Sequence, residues 1–145
     1  MNITHYTSYF HDGTLLQIDH RDSCIVFTLE SAEIDPMEIG NISILSQSNT
    51  LFGKLHLNEV KSVKADPQPC TGVLRKTHDS GEILDLEVHP GKIFLLIAWA
   101  DYPPKPETND VSSIDVEAEA IYWENMPSAK GYKFRGPVRG PSENC

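Results

Sequence analysis

Two histidine–aspartate pairs are the residues of this chain with the clearest capacity for chemistry. His11 and Asp12 stand in "FHDGTLLQIDH", and His78 and Asp79 stand in "THDSGEILDLEVH". Imidazole and carboxylate groups are ligands for zinc and iron, so the four side chains could form a divalent metal or acid–base site if they converged. The chain has no HxH or HExxH spacing to support such a site, which leaves the metal as a hypothesis.

The same phrases are also good turn sequences. Aspartate accepts hydrogen bonds from backbone groups two residues further on, and glycine adopts positive φ without strain. Gly13 and Gly81 close the two phrases just before alternating apolar and polar residues. The structural interpretation is therefore that each phrase is the turn that begins a hairpin.

A second candidate site consists of aromatic and acidic residues in "AWADYPPKP" and "AIYWENMP". Tyrosine and tryptophan are enriched at protein interfaces, and a proline-stiffened loop loses little entropy on binding. The alternative is that the two tryptophans cap the core. The predicted contact residues are Trp99, Tyr102, Tyr122, Trp123 and Glu124.

The cysteines do not indicate catalysis. Cys24, Cys70 and Cys145 have no CxxC spacing, and their odd number favours reduced thiols in a cytoplasmic protein. Neither Cys24 nor Cys70 has a neighbouring histidine that would lower its pKa. The chain also lacks a G-x-S-x-G motif and a phosphate-binding glycine loop, so we expect no enzymatic activity.

Alternation of apolar and polar residues predicts an all-β protein. In a strand, successive side chains point to opposite faces, so a period of two marks a half-buried strand. Ser112–Asn125 is rich in alanine and glutamate, yet its strict alternation also predicts a strand. Asp35 and Pro36 predict a short helical turn over Pro36–Ile39. The predicted strands and hairpin are Thr14–Ser31, Thr50–Leu57, Glu59–Ala65, Glu82–His89, Lys92–Ala100 and Ser112–Asn125.

The chain reads as two similar halves, residues 10–57 and 77–120. After the glycines, Leu15, Leu16 and Ile18 align with Ile83, Leu84 and Leu86 at a constant offset. Two such halves would form an antiparallel sandwich or barrel-like domain with approximate two-fold symmetry. The alternative is coincidence, because all amphipathic hairpins share alternation.

The charge is uneven along the chain. The net charge is −9, and residues 127–145 carry four basic residues against one glutamate, which leaves −12 for residues 1–126. We expect a single domain over residues 1–126 and a basic, Gly/Pro-rich tail over residues 127–145. An acidic body repels phosphate backbones, so nucleic-acid binding is not expected. The longest apolar run, "IFLLIAWA", is shorter than the ~20 residues that a membrane-spanning helix needs.

At "YFHDGTLLQIDHRDSCIVFTLES" the chain resembles small bacterial β-rich proteins that open with Phe-His-Asp-(Gly/Ala) and a hairpin, some of them grouped with immunity proteins of polymorphic toxin systems. The resemblance implies a cytoplasmic binding protein without catalysis, with His11 and Asp12 as members of the motif. An acidic face would then suit a basic protein partner.

We therefore expect a non-catalytic protein that binds a protein partner and needs no cofactor. One alternative is a small metal- or ligand-binding β-barrel enzyme that uses the paired His-Asp phrases. Another is a subunit of a homo-oligomer, with the basic tail bound to the acidic body of a neighbour.

Overall fold

The computed structural model describes residues 1–66, 68–70, 72–106 and 108–129. The fold is all-β, as predicted, with one α-helical turn, α1 (Pro36–Ile39), capped by the side chain of Asp35. The described residues also form four short 3-10 helices: Ile3–His5, Thr7–Phe10, Ile42–Ile44 and Pro127–Ala129. In the described part of the chain, no helix is both long and apolar enough to cross a membrane. The strands are β1 (Thr14–Arg21), β2 (Cys24–Glu30), β3 (Phe52–Ala65), β4 (Gln68–Pro69), β5 (Ser80–His89), β6 (Lys92–Asp101) and β7 (Thr108–Asn125).

Six of the strands form a closed antiparallel barrel. The pairing runs β2, β1, β5, β6, β7, β3, and a further pairing of β2 with β3 closes the ring. Among the described residues, the short strand β4 lies outside the ring and pairs with β3 alone. The ring thus consists of two three-stranded units, β1–β2–β3 and β5–β6–β7, that meet at two junctions.

The hairpins of the two units have the same register. Every β1–β2 pair has a counterpart in β5–β6 at a constant offset, from Leu15↔Leu29 and Ile83↔Ile97 to the pairs beside each turn. This agreement supports the two predicted halves, while their origin by duplication stays a prediction.

Each hairpin also contains a β-bulge at the corresponding position. The register shifts between Leu15 and Gln17 in β1, and between Ile83 and Asp85 in β5. A bulge inserts one residue and changes which side chains face the core. Leu15 and Ile83 are therefore buried, whereas strict alternation with the buried Ile18 and Leu86 would have placed Leu16 and Leu84 in the core.

The two junctions between the units differ in length. β1 and β5 pair only through Thr14↔Glu82 and Leu15↔Gly81. β3 and β7 pair along most of their length, from Gly53↔Asn125 to Ala65↔Ile114. The strands predicted separately as Thr50–Leu57 and Glu59–Ala65 are one strand, β3. An irregularity follows Glu59, whose φ is 53°, and the register with β7 shifts between Val60 and Ser62.

The core fills the barrel. Many of the most deeply buried side chains come from β2, β3 and β6, and Phe10 packs edge-on against Trp123 with ring centroids 5.5 Å apart. Fully buried strand residues include Ile25, Phe27, Leu29, Leu55, Leu57, Ile93, Leu95 and Ile97.

β7 confirms that the Ser112–Asn125 segment is a strand, but its burial pattern changes along its length. Ile114, Val116 and Ala118 are buried as expected, whereas Ala120 and Tyr122 are exposed. The first residue of β6, Lys92, pairs with Glu117 of β7, so the rest of β7 has no strand of β6 beside it. Beyond this point the inward face of β7 changes from even to odd positions, since Trp123 is buried and Ile121 packs against the core.

The cysteines differ in state. Cys24 is an exposed free thiol, and Cys70 is disulfide-bonded. The expectation of reduced thiols is therefore confirmed for Cys24 and wrong for Cys70. Cys145 lies outside the described residues. The cysteines then give no support to a cytoplasmic location, which stays a prediction. Of the predicted tail over residues 127–145, only Pro127–Ala129 is described, as a single-turn 3-10 helix.

We predict that Thr28→Val stabilises the protein. Thr28 is 1 % exposed, and its hydroxyl has no hydrogen-bond partner among the described residues. Valine keeps the branched shape and removes the desolvated hydroxyl, so the free energy of unfolding should rise by about 1 kcal/mol. Urea unfolding with an unchanged slope checks this.

Thr50→Val is the matched control. Thr50 is also buried, but its hydroxyl donates to Glu30 Oε2 at 2.7 Å. Removing a hydrogen bond to a charged group should lower the free energy of unfolding by roughly 1.5–3 kcal/mol. Equal effects of the two substitutions would contradict this account of Thr28.

Candidate functional site

His11 and Asp12 lie where the N-terminal segment crosses β5. The imidazole Nδ1 of His11 donates to the carbonyl of Leu84 at 2.6 Å, and the backbone N–H of Asp12 donates to Ile83 at 2.8 Å. The carbonyl of Leu84, and secondarily the carboxylate of Asp12, raise the pKa of His11 above its usual value. Both side chains are mostly exposed.

We expected the positive φ of this turn at Gly13, but it is Asp12 that has a positive φ, at 67°. Gly13 is needed for a different reason, since a Cβ atom there would overlap the carbonyl oxygens of Glu30 and Phe10. The phrase thus anchors the start of β1 between β2 and β5, which is the structural interpretation of its sequence.

His78 and Asp79 have different partners. The ring of His78 stacks on Trp99 with centroids 5.6 Å apart, and its Nε2 donates to Asp110 at 3.1 Å. Asp79 accepts from Lys105 Nζ at 2.7 Å and from the N–H of Tyr102 at 3.0 Å. Lys105, followed by the N–H of Tyr102, lowers the pKa of Asp79. This phrase fastens the loop between β6 and β7.

The structure does not bring the two His-Asp pairs together. His11 hydrogen-bonds to Leu84 within β5, whereas His78 lies before β5 begins. Because β1 and β5 run antiparallel, the two histidines lie at opposite ends of the β1–β5 junction. Residues 78 to 84 span on the order of 15–20 Å of extended chain. Among the described residues, no group of three or more His, Cys, Asp or Glu side chains could hold a metal ion. The four predicted ligands therefore form two separate hydrogen-bonded clusters.

The predicted aromatic contact residues divide into two groups. Trp99 and Trp123 are buried, at 4 % and 8 % exposure, so they cap the core as the alternative proposed. Tyr102 and Tyr122 are half exposed, and Glu124 is exposed as well. Tyr102 lies in the β6–β7 loop, away from the other two on β7.

Tyr122 and Glu124 form a cluster with His56 across the β3–β7 junction. His56 pairs directly with Tyr122, and their rings stack in parallel with centroids 4.6 Å apart. His56 Nε2 also donates to Glu124 Oε1 at 2.8 Å. The cluster therefore holds an aromatic ring in a fixed orientation at the surface. Sequence analysis did not include His56, because nothing in the sequence pairs β3 with β7.

A groove of about 970 Å³ runs beside this cluster. β7 contributes five consecutive residues, 119–123, and the β5–β6 turn contributes Val88–Gly91. Met1–Thr4 forms the rest of the lining. The volume lies at the upper end of the range for ligand sites in proteins.

Carboxylates lie in and around the groove, some of them paired with basic side chains. Glu119 lines it and pairs with Lys61 at 2.9 Å, which lowers the pKa of Glu119. Glu87 pairs with His89 at 3.3 Å at the turn, and Glu117 is exposed on β7. Together with Glu124, these carboxylates favour cationic ligands.

His20 is a histidine whose environment favours its neutral form. It lies on β1, and its Nδ1 accepts the N–H of Leu74 at 2.8 Å, which a protonated Nδ1 could not do. Burial lowers its pKa below 6.5. Stability from this contact is thus fully present above the unfolded pKa of 6.5 and is lost as the pH falls through the folded value.

We predict that His20→Asn reduces the loss of stability between pH 7 and pH 5. The asparagine Oδ1 can still accept from Leu74, but it does not titrate. Chemical denaturation at several pH values measures the effect, with His5→Asn, which changes an exposed histidine, as control. The raised pKa of His11 has the opposite effect, since it stabilises the folded protein as the pH falls. His11→Asn removes this contribution and serves as its control. A His20 variant with the wild-type pH profile would contradict the assignment.

No protein-family model, curated protein or solved structure matches this chain.

Proposed function

We propose that this chain is a binding protein that acts by engaging a basic protein partner at the cluster of His56, Tyr122 and Glu124. The observation that carries the proposal is the stacking of Tyr122 on His56 at the surface of β7. Half of Tyr122 remains exposed, while its ring packs flat on the imidazole of His56. A pre-ordered aromatic side chain loses little entropy on binding, which is why such residues dominate binding energies at interfaces.

The charge of the chain supports a basic partner. Its net charge is −9, and Glu119 and Glu124 flank Tyr122 on the outer surface of β7. Complementary charge accelerates association and selects against acidic partners. This chemistry is compatible with the immunity-like role that the opening residues suggest, in which an acidic protein covers a basic toxin surface. A cytoplasmic location belongs to the same proposal.

The test is affinity capture from a lysate of the cells that naturally contain the protein. We expect the wild-type chain to retain a basic protein, and Tyr122→Ala to lower the retained amount about tenfold or more, since central aromatic residues contribute at least 2 kcal/mol. Tyr102→Ala is the matched control, because Tyr102 is equally exposed but lies in the β6–β7 loop. Circular dichroism confirms that each variant is folded.

Other outcomes of the capture contradict the proposal. Equal retention by the Tyr122 and Tyr102 variants would place the contact elsewhere. Retention of only a second copy of this chain would favour the homo-oligomer, and a bound metal or metabolite in place of a protein would favour the ligand-binding alternative.

A further inference from the structure

The groove lies along the edge of β7 instead of over one of its faces. Its lining includes Trp123, which is buried, and its neighbour Tyr122, which is exposed. Successive side chains of a strand point to opposite faces, so a cavity that contacts five consecutive residues must follow the edge of the strand.

This edge has unused hydrogen-bonding groups. The N–H of Ala118 donates to Gly91 at 2.9 Å, and beyond it the described residues give no further backbone hydrogen bond from β7 to the β5–β6 unit. Between Glu119 and Asn125, the described residues supply no backbone partner for β7 apart from its pairing with β3. An open strand edge is a template for another strand.

The other half of the barrel shows how such an edge is covered. The N–H of Val60 donates to Ser23 at 2.8 Å, the counterpart of the contact between Ala118 and Gly91. Beyond that point the edge of β3 is taken by β4, through Lys64↔Pro69 and the bond from Cys70 N–H to Val63. The corresponding edge of β7, at Ile121–Glu124, has no described strand beside it.

We propose that the groove binds an extended, basic segment of the partner protein, which adds to the edge of β7 as β4 adds to β3. This inference rests on the proposed function and specifies how the partner is held. A stretch of five residues at ~3.4 Å each is about 17 Å long, enough for a short strand. Ile3, Val88 and Pro90 offer apolar contacts and Glu119 an acidic one, so a segment that alternates apolar and basic residues fits best.

The probe is a blocked peptide of about seven residues that alternates lysine and valine, added to the isotope-labelled full chain. Because Met126 N–H donates to Phe52, the alternate residues Tyr122 and Ala120 also direct their N–H groups to β3. The N–H groups on the open edge are those of Ile121 and Trp123. In two-dimensional NMR spectra, the backbone amides of Ile121 and Trp123 should shift and become protected from hydrogen exchange. A peptide with glutamate in place of lysine should leave them unchanged. Absence of any shift at these amides at millimolar lysine peptide would overturn the proposal.

Methylation of the peptide nitrogens distinguishes strand addition from attraction by charge. One peptide carries N-methyl groups on all valines and another on all lysines, so each blocks one edge of the extended chain and keeps the charge. Only one edge of the bound peptide can face β7. One of the two methylated peptides should therefore bind at least about tenfold more weakly than the unmethylated peptide, and the other should bind as the unmethylated peptide does. Equal binding by the two, or loss of binding by both, would overturn strand addition.

A pair of charge reversals locates the site on the protein. Glu119→Lys should weaken binding of the lysine peptide severalfold, and Glu82→Lys, at an exposed position on β5, should not. Equal weakening would show attraction by net charge and would overturn the assignment of the groove.

The amides also show whether the groove is already occupied. Protection of Ile121 and Trp123 without peptide would overturn the proposal: protection independent of concentration would indicate another segment of the same chain, and concentration-dependent protection a second copy. If the peptide fails but capture through Tyr122 succeeds, the partner binds the face of β7 and the proposed function stands. If both fail, the proposed function fails too.

Discussion

The antiparallel pairing of β3 with β7 is the interaction on which the rest of the structure depends. It joins the two three-stranded units along most of two long strands, whereas β1 and β5 meet at only two residue pairs. This pairing stacks His56 on Tyr122, although the two residues lie in opposite halves of the sequence. It also carries β7 past the first residue of β6, which leaves the strand edge that the groove follows.

Local sequence pattern was sufficient for the strands and their type. The hairpins, the helical turn at Pro36–Ile39 and the strand character of the alanine- and glutamate-rich β7 follow from residue period and capping. The bulges could not be predicted from the local pattern, because Leu15 and Leu16 are both apolar and either could face the core. Which one does depends on one residue inserted relative to β2, and that is a property of the pair of strands.

The candidate site was less accessible to sequence analysis than the fold. Tyr122 and Glu124 were recognised from composition, but their partner His56 could be found only from long-range pairing. Trp99 and Trp123 have the composition of contact residues and are instead buried in the core. The His-Asp phrases look alike in sequence, yet one fixes the start of β1 against Leu84 and the other fastens the β6–β7 loop through Lys105. Two similar short sequences therefore make different contacts, because the residues around them differ.

The position of β7 also constrains the order in which the protein can fold. During synthesis, β1, β2 and β3 emerge well before β7, so β3 must wait for its partner with one long edge unpaired. Contacts between such distant segments give a high contact order and therefore slow folding. Until β7 arrives, the nascent chain presents an apolar edge suited to pairing with the wrong strand. The irregularity after Glu59 interrupts this edge midway, which limits how long a mistaken pairing can grow.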